Sequence, residues 1–138
     1  MMTILMGALV FAAAAVTRWF LHRTSRRESL WCRGHVELTE VFNEKGAFSL
    51  AVPKEVMGAL TALALAGIWK ERKNAPIAAG LALGGGAANA WERLRHKRVY
   101  DYVRFPKAPG RAKRYVWNLA DFAILAGAMG LFCFRKKK

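Results

Sequence analysis

The sequence predicts an all-α integral membrane protein of four short helices, with a small β-hairpin at the membrane surface and one domain over residues 1–138. Three observations carry this prediction. Charge is absent from Met1–Val16, Met57–Trp69 and Ala75–Trp91, and Tyr115–Phe134 holds only Asp121. Soluble helices carry charge every turn or two on their wet face, so stretches that are apolar all round point to lipid contact. The 23 Lys and Arg residues, which give a net charge of +14, cluster at the ends of these blocks. Small residues crowd the middle of the chain, notably Gly80 and Gly84-Gly85-Gly86-Ala87-Ala88. They allow helix backbones to approach closely where no hydrophobic drive acts between helices.

The first helix is expected at about residues 1–21. A span needs roughly 20 residues, so this helix takes in Thr17–Leu21, with Arg18 snorkelling to the headgroups. Val36–Phe42 is rich in β-formers, and Asn43-Glu44-Lys45-Gly46 supplies turn chemistry before Ala47–Leu50, which predicts a hairpin within a loop at about 34–50. A second helix is expected at about 50–70, followed by a tight connection at Lys70–Asn74. Pro76 suits the first turn of a third helix at about 75–95. Pro106, Pro109 and Gly110 make the stretch 96–114 read as irregular, and a fourth helix is expected at about 115–134.

A net charge of +14 invites a nucleic-acid reading, but the basic residues cap apolar blocks and so suit anionic lipid headgroups. Membrane lipids are therefore expected partners, and nucleic acid is not. Neither metal nor disulfide is expected: Cys32 lies in a loop, Cys133 in the last helix as a packing residue, and no ligand spacing links them to His22, His35 or His96. Lys and Arg number 16 on the side of the long loops and 7 on the side of the termini. That count would place the long loops in the cytoplasm, whereas the dense clusters Lys70–Lys73 and Arg135–Lys138 point the other way. Charge alone leaves the orientation open.

An ionisable group in or beside a membrane span is costly and marks a functional site by default. Asn89, Glu92 and Arg93 share one helical face by their spacing, as do Asn118 and Asp121. Asp121 reads as two turns inside the last apolar block, and Asp101 lies in the aromatic patch Val99–Val103; these are the only aspartates in the chain. Two carboxylates in one desolvated site cannot both ionise, a state suited to peptide hydrolysis. Their spacing permits a meeting in space without requiring it.

Four blocks, in order, resemble the lipoprotein signal peptidase (signal peptidase II) family. Gly84–Leu94 is similar to its "GGAxGNxxDR", Val99–Tyr102 to "VVDF", Trp117–Ile124 to "FNxADxxI", and Val41–Ser49 to "xxNxGxAFS". The resemblance implies catalytic aspartates at Asp101 and Asp121, with dyad support from Asn89, Glu92, Arg93, Asn118 and Ala120. Asn43, Gly46 and Phe48 fall on the substrate side. It further implies four transmembrane helices with an extracytoplasmic β-cradle in a bacterial inner membrane, both termini cytoplasmic. The implied reaction is cleavage before a diacylglyceryl-modified cysteine in prolipoproteins, without metal or organic cofactor; a monomer is expected, though the sequence does not give the oligomeric state.

Three departures stand out. The family's "DxxTK" appears as Ala14-Ala15-Val16-Thr17-Arg18, the acid of "NxxDR" is Glu92, and Lys45 replaces the glycine of "NxG". They keep open an alternative: a catalytically degenerate paralogue that binds lipidated peptides as a membrane adaptor. A basic nucleic-acid tether, with Tyr100, Tyr102 and Phe105 as aromatic platforms, is the third reading.

Overall fold

The computed structural model describes residues 1–24, 29–44 and 52–134. The helices are α1 (Met2–Thr24), α2 (Lys54–Glu71), α3 (Pro76–His96) and α4 (Leu119–Cys133). The strands are β1 (Ser29–Trp31), β2 (Val36–Asn43), β3 (Val99–Arg104) and β4 (Val116–Trp117). Helix α3 is the hub, packing against α1, α4 and α2.

Small residues set that packing. A Cβ on Gly84 would lie 2.5 Å from the Gly7 carbonyl oxygen, and one on Gly127 would lie 2.5 Å from the Ala82 backbone nitrogen. Only hydrogen fits there, so α1 and α4 press their backbones onto α3. The outward faces are apolar. Leu9 of α1, Leu63 of α2 and Phe132 of α4 are 63%, 70% and 84% exposed, and α2 has no buried residue. Such an apolar surface is unfavourable in water and suits lipid. By length and composition, α1 is long and apolar enough to cross a membrane, while α4 is apolar but shorter, at 15 residues.

The protein is mostly helical, and the β element is larger than the hairpin expected: the strands form one antiparallel sheet in the order β1-β2-β3-β4. Strand β2 pairs with β1 and β3; the expected partner, Ala47–Leu50, lies outside the described residues. The stretch expected to be irregular contains β3, whose Asp101 sits opposite Val41. Lys97, in the left-handed conformation (φ 62°), ends α3 and turns the chain into that strand. Two helices start later than expected. Helix α2 begins after Pro53, and Val116–Trp117, a β-branched and aromatic pair, forms β4 before α4 starts at Leu119. Cys32 and Cys133 are free and exposed, so Cys133 is not the packing residue expected.

Candidate active site

The start of α4 builds one half of the site. Asn118 is its N-cap: Oδ1 accepts the Asp121 N–H at 2.9 Å, and Asp121 Oδ2 accepts the Asn118 N–H at 3.0 Å, a reciprocal capping box. Asp121 therefore lies in the first helical turn, not two turns inside an apolar block. The positive end of the helix dipole suits a carboxylate there.

Asn118 also joins the two aspartates. Its Nδ2 donates to Asp101 Oδ1 at 2.8 Å and to Asn89 Oδ1 at 3.1 Å, and Asn89 Nδ2 donates to Asp121 Oδ1 at 2.8 Å. The Asn43 side chain from β2 also hydrogen-bonds Asp101. Asp101 and Asp121 line one cavity of about 90 Å³ with Asn43, Asn89 and Arg93, and Val99 and Tyr115–Trp117 complete its wall. Such a volume holds a few waters at roughly 30 Å³ each.

Asp101 is 4% exposed. Burial is the main cause that pushes its pKa from 3.8 to about 6, and the Asp121 charge acts in the same direction. Hydrogen bonds from Asn118 and Asn43 and the Arg93 charge offset part of that shift. On the same strand, burial pushes the Tyr102 hydroxyl up to about 12. That hydroxyl oxygen accepts the Leu119 N–H at 3.0 Å and so ties β3 to the start of α4.

The remaining expected site residues divide. Glu92 does not line the cavity. Its Oε2 accepts the Tyr100 N–H at 3.0 Å and lies 3.3 Å from Arg18 Nε. Arg18 therefore turns inward instead of snorkelling, its side chain 27% exposed. Ala120 is buried with Ala14 and Ala88 beside Phe11. Gly46 and Phe48, like Lys45, lie outside the described residues. Sequence reading missed Arg18, the Tyr102 hydroxyl and the Tyr115–Trp117 wall. The spacing Asn118-x-x-Asp121 does carry a legible capping signal.

A second cavity, about 380 Å³, runs between α2 and α3 and is lined by Met57, Thr61, Leu65, Ala90 and Leu94 among others. Arg93 borders both cavities. Among the described residues, no three His, Cys, Asp or Glu side chains come together with the geometry of a metal site.

The sequence model of the family described as signal peptidase (SPase) II matches residues 6–135. The lipoprotein signal peptidase of Nitrobacter hamburgensis is 41% identical over 75 residues, covering 51% of this chain and 46% of that protein. Its counterpart from Pelotomaculum thermopropionicum is 34% identical over 99 residues, covering 66% and 61%. The chain spans about half the length of the curated relatives it matches. A bacterial membrane enzyme solved by the in meso method at 1.9 Å has the same fold: the TM-score is 0.81 at 16% identity, over 99% of this chain and 93% of that one. The match runs from α1 to the end of α4 and takes in every described residue of the carboxylate site, so the chain belongs to the signal peptidase II family.

Proposed function

We propose that the chain is a membrane aspartic endopeptidase that removes signal peptides from diacylglyceryl-cysteine prolipoproteins. One observation carries this reading: Asn118 donates to Asp101 through its side chain and to Asp121 through its backbone, at the edge of one small polar cavity. Carboxylates sharing a desolvated site hold one proton between them and titrate as a unit. The ionised member takes a proton from water, whose oxygen attacks the scissile carbonyl. The protonated member polarises that carbonyl. As the C–N bond breaks, a proton passes to the leaving amine of the modified cysteine.

Asn89 and Asn118 orient the carboxylates, Arg93 offsets their charge, and Ala120 keeps α4 close to α3. Asn43, with Gly46 and Phe48, serves the substrate side. The apolar cleft between α2 and α3 supplies an adjoining surface for lipid chains or an apolar signal peptide. In this reading all four helices span the inner membrane of a bacterium, both termini are cytoplasmic, and the protein acts as a monomer without cofactor.

The test is incubation of the detergent-purified protein with a diacylglyceryl-modified prolipoprotein, the products being read by mass spectrometry. Cleavage on the N-terminal side of the modified cysteine is expected, and an intact precursor under conditions where a related peptidase cuts it would overturn the proposal. Ala14, where the family pattern has an acid, is buried among alanines and favours a second reading, the adaptor that binds lipidated peptides without turnover. Binding of a cyclic-peptide inhibitor of the family with no cleavage would support it.

A further inference from the structure

We propose that Arg18 is a positioning residue: by pairing with Glu92 it holds β3, and with it Asp101, in register against α3. The proposal rests on the peptidase reading for its kinetic consequence, but its geometry stands apart from it. Arg18 is two turns from the end of a helix that is otherwise uncharged as far as Leu21. Its guanidinium grips the last turns of α3 at two points. Nε lies 3.3 Å from Glu92 Oε2, and Nη1 lies 3.0 Å from His96 Nε2. Glu92 and His96 are one turn apart, and His96 directly precedes Lys97, whose left-handed conformation starts the turn into β3. The Nε atom is shut off from solvent and makes no directed hydrogen bond, so its interaction is the ion pair.

The Glu92 oxygen that faces Arg18 is the one that accepts the Tyr100 N–H. Tyr100 is the residue before Asp101, and both are buried. An α1 cation, an α3 carboxylate and a β3 amide thus form a chain that ends one residue from the site. Without the cation, Glu92, whose side chain is 12% exposed, would be left near the Asp121 charge. It would then have to protonate, weakening its hold on the amide, or stay ionised and repel the dyad. Among the described residues, the groups that face Glu92 are Arg18 from α1, Arg93 on α3, Tyr100 and Tyr102 from β3, and Asp121 from α4. Arg18 and Arg93 are the only cations among them. Arg93 already borders the cavity.

Two readouts on the full chain in detergent test this: amide hydrogen exchange across Val99–Arg104, and the pH dependence of kcat and KM. Arg18→Met is expected to raise exchange at β3, lower kcat by roughly 10- to 100-fold with KM little changed, and shift the acid limb of the pH–rate profile upward. Arg18→Lys restores most of both. In Arg18→Met/Glu92→Gln the upward pH shift disappears, because the charge that caused it is gone. If Arg18→Met does not fold, Glu92→Gln against Arg18→Lys carries the comparison, with faster β3 exchange expected only in the former. Unchanged β3 exchange in Arg18→Met and Glu92→Gln would overturn the proposal. An inactive wild-type protein whose β3 still loses protection on losing Arg18 would instead overturn the peptidase reading and leave the grip in place.

Discussion

Replacing Asp101 by Asn should inactivate the protein and make it more stable. The carboxyl is almost fully buried and its pKa is pushed from 3.8 to about 6. Folding therefore binds its proton more tightly. This contribution favours the folded state fully below about pH 4 and is lost as the pH rises through about 6. At about 1.4 kcal/mol per pKa unit, the ionised group costs at most about 3 kcal/mol at neutral pH, and about 2 kcal/mol of that falls between pH 4.5 and 8. The amide introduced by Asp101→Asn would keep an oxygen to accept from Asn118 and would remove the buried charge. The variant's melting temperature in detergent should exceed that of the wild type by about 5–10 °C at pH 8, with a much smaller gap at pH 4.5. The assay is thermal unfolding of both proteins at the two pH values. A variant no more stable at pH 8, or a gap that does not narrow in acid, would refute the burial argument.

Two further outcomes follow from the same geometry. Asn118→Ala removes an N-cap worth about 1 kcal/mol and side-chain bonds to Asp101 and Asn89 worth about 1 kcal/mol each. It should lower thermal stability and, by taking a donor from Asp101, move the acid limb of the pH–rate profile upward. Gly84→Val sets a side chain against the Gly7 carbonyl oxygen and the Val10 side chain. Separating α1 from α3 should cost about 1–3 kcal/mol, read by thermal unfolding in detergent.

The helices were legible because charge clumping is local: each helix expected from an apolar block and its flanks lies within about four residues of an observed one at either end. The sheet was not, because strand pairing is long-range. Val36–Phe42 reads as a strand, but nothing in it names Val99–Arg104 as its partner. Asp121 shows how one misplaced boundary distorts a site. Tyr115–Trp117 looks like helix in an apolar run, yet Val116 and Trp117 pair with β3, which moves Asp121 from the helix interior to the N-terminal turn. A carboxylate there has a capping role as well as any chemical one, so its position alone does not single it out. Arg18 was misread because sequence gives its depth and not its direction. A cation near a helix end can reach for headgroups or turn to an acid on a neighbouring helix, and Glu92 decides this only once α1 and α3 are packed.

The carboxylate pair is the centre of the account, and cleavage of a diacylglyceryl-modified prolipoprotein by Asp101→Asn and Asp121→Asn tests it most directly. Each variant should insert and fold, and each should lose activity by at least about 10³-fold, as residues acting as a unit do. Cleavage within about twofold of wild type by either one would contradict the shared-proton mechanism and remove that aspartate from the chemistry.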